Sequence, residues 1–221
     1  MLKAVLFDMD GVIVDSELLH QRAYQKMFKE FEINVSPELY ASFTGKATLP
    51  ICQDICLAYN LKASPEELMD SKRMYFKQIF NEDTSFSLLD GVLALIQEYR
   101  KKELKLVLAS SASMININRI FKRFNLDQYF TSKLSGADLK ASKPHPEIFI
   151  KAAKVTGFLP SECVVIEDST NGITAAKAAG IFCVGYNSKH SKNQEYGDAD
   201  LVITNFKEIS FDKITAFFQE A

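Results

Sequence analysis

The sequence predicts an α/β fold, a doubly wound parallel sheet with an all-helical segment inserted after its first strand. Three observations carry this. Apolar runs of strand length recur along the chain and alternate with stretches whose apolar residues are spaced by three and four. Residues 16–88 break that rhythm with helical patterns alone. Finally, three apolar runs end in a hydroxyl or in carboxylates, and ligands of open parallel sheets gather at the carboxyl ends of strands.

The first run, Ala4-Val5-Leu6-Phe7, lies within a strand expected at residues 3–7 and leads into Asp8-Met9-Asp10-Gly11. Two carboxylates at i and i+2 do not belong in an apolar core. They repel one another, so the pair suggests a bound cation or a shared proton; the competing reading is two loop acids at a strand end.

In the inserted segment, Tyr24, Met27, Phe28 and Phe31 form one apolar stripe. Ser36-Pro37-Glu38 supplies an N-cap with proline at the first helical position, and Ser64-Pro65-Glu66-Glu67 supplies a capping box. Gly45 reads as a helix C-cap with Thr48 as the next N-cap. Such a block is too long for an ordinary crossover, so residues 16–88 are expected to form a helical domain, with residues 1–15 and 89–221 forming the core.

Beyond it, Val92, Leu95, Ile96 and Tyr99 make a helical stripe, followed by a strand at residues 105–109 that ends in Ser110. Ile117, Ile120, Phe121 and Phe124 make the next stripe, and a weaker strand lies at 133–135. Ser142-Lys143-Pro144 places a lysine in a turn. A strand at 163–166 ends in Glu167-Asp168, and further strands are expected at 182–185 and 201–203. In a parallel sheet these groups would meet at one edge.

With 26 basic and 28 acidic residues, the formal net charge is −2, and no long basic run supports nucleic-acid binding. No apolar run reaches the roughly 20 residues of a membrane span, and Asp8, Asp10 and Asp15 interrupt the apolar N-terminus, so no signal peptide is read there. A cytoplasmic location and a monomer are expected. Of the four cysteines, Cys163 and Cys183 sit in strand-like runs, while Cys52 and Cys56 are one helical turn apart with no further ligands nearby. Core packing is the reading for them.

The order Asp8-x-Asp10, Ser110, Lys143, Glu167-Asp168 resembles the haloacid dehalogenase superfamily of phosphatases, specifically its β-phosphoglucomutase-like and sugar-phosphate phosphatase members. The resemblance spans nearly the whole chain. It implies a Rossmann-like core, a helical cap domain at 16–88, and Mg2+-dependent hydrolysis of small phosphate monoesters through an aspartyl-phosphate. Asp8 would then be the nucleophile and Asp10 the general acid and base. Ser110, with Ser111 beside it, and Lys143 would bind the phosphoryl group, and Asp8, Asp10, Glu167 and Asp168 would hold the metal. In the cap, His20 and Lys46 are the candidate substrate contacts. Lys72 and Arg73 read as a solvated helix face, and nothing marks His145 or His190.

Two alternatives accompany this reading. A phosphosugar mutase of the β-phosphoglucomutase type carries an arginine in its cap loop, where this chain has Thr48; threonine does not replace a bidentate guanidinium. A phosphoacceptor switch also groups acids, a hydroxyl and a lysine, but it lacks an inserted helical cap.

Overall fold

The computed structural model describes residues 1–188 and 194–218; His190 lies outside them, as does the C-terminal end of the expected core. Every expected strand is present. They are β1 (Ala4–Phe7), β2 (Lys105–Ser110), β3 (Ser132–Ser135), β4 (Cys163–Glu167), β5 (Phe182–Tyr186) and β6 (Leu201–Ile203). All pair in parallel in the order β3-β2-β1-β4-β5-β6. The chain winds outward from β1 to β3 and then returns to the other side of β1, so the order reverses between β1 and β4. That reversal opens a crevice at the carboxyl edge, where such sheets take ligands.

Alternation along the strands builds two apolar layers. Val5, Phe7, Leu106, Leu108, Val164 and Ile166 face one way, against helices α5 (Val92–Lys101) and α6 (Met114–Phe124). Ala4, Leu6, Val107, Ala109, Cys163 and Val165 face the other way, against α7 (Glu147–Thr156) and α8 (Thr170–Ala178). The last helix, α9 (Phe211–Ala216), adds Ile214 to the first layer.

Between β1 and α5 run four helices, α1 (Glu17–Glu30), α2 (Pro37–Ala41), α3 (Thr48–Tyr59) and α4 (Pro65–Glu82). They enclose their own apolar cluster, with Tyr24, Met27, Phe43, Ile51, Ile55 and Leu68 at its centre. Ser36 accepts the Leu39 N–H, and Ser64 and Glu67 form the expected capping box. Gly45 departs from expectation: α2 has already ended at Ala41, and Gly45 (φ +80°) turns the loop that follows, while Thr48 lies inside α3 behind Ala47.

The two connections to the sheet run side by side. Val14 bridges Leu88, and the Leu89 N–H donates to the Ile13 carbonyl at 3.0 Å. The apolar separation is incomplete, since Leu19, Ala23, Phe76, Ile79 and Phe80 join the sheet cluster. Arg123 of α6 donates to the Phe80 carbonyl at 2.9 Å and the Asp83 carbonyl at 2.6 Å, fixing the exit of α4. Among the described residues no helix is long and apolar enough to cross a membrane.

Candidate active site

Asp8 is the first residue past β1, and its N–H donates to the Ile166 carbonyl of β4 at 3.0 Å. Register sets Phe7 beside Leu108 and Ile166, so Asp8 emerges between Ala109 and Glu167. Lys143 enters this gap and is 2 % exposed. Its ammonium donates to Asp8 Oδ1 at 2.5 Å, Glu167 Oε1 at 2.6 Å and the Ala109 carbonyl at 3.1 Å. All three donors of the group are thus used, which excludes a solvated turn lysine.

Burial pushes the Asp8 carboxyl up to about 7; the nearby Glu167 and Asp10 add to this, and Lys143 opposes it. Burial pushes Lys143 down, but its two carboxylate partners outweigh that and hold it above the usual lysine value. Lys143 is therefore a permanent cation in a pocket that still carries an excess of acids.

Asp10 belongs to a second network. It accepts a hydrogen bond from Ser16 Oγ, and His20 Nε2 lies 3.4 Å from its Oδ1. Behind His20, Lys72 Nζ lies 2.8 Å from Nδ1. Burial pushes Asp10 up, but the hydrogen bonds from His20 and Ser16 and the charge on Lys72 outweigh it and leave Asp10 below the usual carboxylate range. Burial first, then the Lys72 charge, depresses His20. Lys72, expected on a solvated face, is 2 % exposed, and burial brings it down to about 8. A signal for it was present in the sequence, since Leu68, Lys72, Phe76 and Ile79 fall on one helical stripe.

Gly11 joins the two networks. At φ +86°, a Cβ there would sit 2.0 Å from Asp168 Oδ2, so the Asp168 carboxylate rests directly on the Asp8–Gly11 loop. Glu167 is placed differently. Its Oε1 holds Lys143, and its Oε2 accepts from the N–H groups of Asp168 and Ser169 and from Ser169 Oγ. Glu167 is an internal anchor for Lys143.

Above this edge lies a cavity of about 640 Å³. Asp8, Asp10 and Asp168 form its floor, with His20, Lys46, Thr48 and Lys72 on the helical side. Lys46 is 3.8 Å from Asp54 Oδ2. Glu17, half-buried on the same face of α1 as His20, accepts from Tyr40 Oη at 3.2 Å. The two serines sit differently. Ser110 is buried below the cavity, its Oγ accepting the Ala112 N–H at 3.1 Å. Ser111 reaches the cavity wall, but its hydroxyl donates to the Gly45 carbonyl at 2.7 Å. Arg73 and His145 are not among the lining residues.

The donor set suits a hard cation. Two carboxylates, Asp8 and Asp168, flank a loop whose backbone carbonyls can add oxygen ligands. Among the described residues no three acidic, His or Cys side chains cluster as a self-sufficient cage.

A sheet-edge aspartate clamped by a buried lysine, with a second aspartate beside it under a cavity, has the layout of an enzyme active site. Residues 5–186 match the haloacid dehalogenase-like hydrolases, and the chain belongs to that family. The phosphorylated carbohydrates phosphatase of Thermotoga maritima is 30% identical over 196 residues, which is 87% of this chain and 88% of that protein. The crystal structure of β-phosphoglucomutase from Clostridium difficile superposes with a TM-score of 0.87 at 27% identity, covering 100% of this chain and 98% of that one. Protein SUPPRESSOR OF QUENCHING 1, chloroplastic, of Arabidopsis thaliana is 32% identical over 83% of this chain, which spans 18% of that longer protein. The expected superfamily and fold are borne out.

Proposed function

We propose that the protein is a Mg2+-dependent phosphatase that hydrolyses the phosphate monoesters of small metabolites, sugar phosphates among them, with residues 16–88 acting as a cap. The observation that carries this reading is the Lys143 clamp on Asp8, which holds one carboxylate at the floor of the cavity and neutralises charge beside it. Asp8, Asp168 and a backbone carbonyl of the Asp8–Gly11 loop would hold the metal, with Glu167 behind them. When bound, it supplies positive charge to the phosphoryl oxygens and to Asp8.

Asp8 attacks phosphorus, the ester P–O bond breaks, and Asp10 delivers a proton to the departing oxygen. Water then attacks the phosphorus of the aspartyl-phosphate while Asp10 takes its proton, releasing phosphate and regenerating Asp8. In the ligand-free site the two acids are biased against the first step, with Asp8 raised and Asp10 lowered. Ligands correct both. A cation lowers Asp8, and the phosphoryl anion raises Asp10 by like-charge repulsion. Lys143 holds Asp8 in place and neutralises charge beside the transferring group, and Ser110, at the end of β2, would donate its hydroxyl to a phosphoryl oxygen.

The cavity lining favours water over the hydroxyl of a phosphorylated sugar as acceptor. Among the described residues no arginine lines it, Thr48 stands where the mutase pattern has one, and Glu17 adds negative charge to the wall. The test is phosphate release from a panel of phosphorylated metabolites with Mg2+, with Asp8→Asn and excess chelator as controls. Turnover should fall by orders of magnitude in both controls, and full activity in either would overturn the mechanism.

A further inference from the structure

The loop between α2 and α3 is tied to the sheet edge by two side chains that the proposed chemistry does not use. Ser111 Oγ donates to the Gly45 carbonyl at 2.7 Å, and Asn171 Nδ2 donates to the Thr44 carbonyl at 2.8 Å. The donors come from different strand ends. Ser111 directly follows β2, and Asn171 lies in the first turn of α8, just after β4. The approach is close: a Cβ on Gly45 would lie 2.5 Å from Ser169 Oγ and 3.2 Å from Asn171 Cβ.

Neither bond serves local structure. Ser111 does not cap α6, whose N-cap is Ser113, and Asn171 does not cap α8, whose Ser169 accepts the Gly172 N–H. Both carbonyls belong to the helical insert and both donors to the sheet. The bonds therefore exist only while the loop lies down on the edge. If the insert swings away, water takes over the four groups at little net cost, so each bond biases closure by a modest factor.

We propose that Ser111 and Asn171 are positioning residues that latch the cap loop onto the sheet edge and fix Lys46 and Thr48 in the cavity wall. Ser111 acts through Gly45 and is not a phosphate ligand. The catalytic consequence rests on the phosphatase reading; the latch itself does not. A neutral hydrogen bond is worth about 1 kcal/mol, so each bond shifts the closed population about fivefold.

Two measurements test this on the full chain. In hydrogen–deuterium exchange without substrate, Ser111→Ala and Asn171→Ala should each speed exchange of amides 43–47 about fivefold, with the β1, β2 and β4 amides unchanged. Ser111→Thr keeps the hydroxyl and should restore protection. Asn171→Asp sets a carboxylate against the Thr44 carbonyl and should expose the loop at least as much as Asn171→Ala. In phosphate-release assays, kcat/KM for metabolite phosphates should fall in the same order.

Unchanged loop exchange in both alanine variants, or wild-type protection in Asn171→Asp, overturns the latch. Weakened competition by inorganic phosphate in Ser111→Ala, with loop exchange unchanged, would make Ser111 a phosphate ligand and also overturn it. Absence of phosphate release from every form would sink the phosphatase reading, and the exchange data would still decide the latch.

Discussion

Lys72 Nζ lies 2.8 Å from His20 Nδ1, joining α4 to α1 across 52 residues of sequence. An ammonium only donates, so Nδ1 is the acceptor and the neutral ring carries its proton on Nε2, towards Asp10 Oδ1 at 3.4 Å. Burial and the Lys72 charge both keep the ring neutral. A lysine on the helical insert thereby sets the tautomer that addresses the proposed acid and base on the sheet.

Lys72→Met should lower kcat at least about tenfold, because Asp10 loses an oriented partner during proton transfer. It should also change the dependence of stability on pH. Lys72 titrates at about 8 when folded and at 10.5 in the ordinary state. Below pH 8 both states are charged and the cost of burial is fully present. Between pH 8 and 10.5 the unfolded chain binds more protons, so wild-type stability rises with pH relative to Lys72→Met. The total rise is on the order of 3 kcal/mol at about 1.4 per pH unit. Urea denaturation from pH 7 to 10.5 checks it, and parallel curves for the two proteins would refute it.

The metal should stabilise the protein in a pH-dependent way. Asp8 is raised to about 7 in the folded state from an ordinary 3.8. Between those values the folded protein holds a proton that the unfolded chain has lost, so metal-free stability falls as pH rises through the window. Mg2+ needs the carboxylate, so the Tm increase on adding it should be larger at pH 8 than at pH 5.5. In Asp8→Asn the difference between the two pH values should largely vanish. Equal increases at both pH values in wild type would remove Asp8 from the metal site.

Much of this site was legible because its parts are local to strand ends. Asp8, Ser110 and Glu167 each follow an apolar run directly, and a parallel sheet fixes where those runs end. Lys143 could be read only through the family order, because nothing within its turn announces that it is buried. Lys72 was misread as solvated: its charge outweighed its place in the stripe with Leu68 and Phe76, and its partner lies on another helix. For Glu167 and Ser111 the sequence gives the residue but not the direction of its side chain: Glu167 anchors Lys143, and Ser111 donates to a backbone carbonyl 66 residues away.

Asp10 should act on the leaving oxygen, and the quality of the leaving group measures this. Asp10→Asn should cost about 10²–10⁴ in turnover for alkyl phosphates, which need protonation, and much less for an activated aryl phosphate. Rapid-quench measurement of phosphorylated Asp8 separates this from slow hydrolysis of the intermediate. An equal loss for both substrate types, with no accumulated intermediate, would argue against protonation by Asp10.

Hydrolysis against mutase activity turns on what holds the far end of the substrate. Thr48 and Lys46 both line the cavity, and Lys46 is the cation available near the loop, with Asp54 as its ion-pair partner 3.8 Å away. A second phosphate therefore meets two lysines with partners of their own, Lys46 with Asp54 and Lys72 with His20, and the Glu17 carboxylate, where a mutase needs a firm grip to turn its intermediate around. Incubated with Mg2+ and β-glucose 1-phosphate, the protein should release free phosphate and form little glucose 6-phosphate. Lys46→Ala should raise KM for metabolite phosphates roughly fivefold while leaving a small aryl phosphate nearly unaffected, because an apolar aryl group offers Lys46 no anionic or hydroxyl partner. Rapid glucose 6-phosphate formation with little free phosphate would replace the phosphatase by the mutase, and the cap loop would then have to grip the distal phosphate without an arginine.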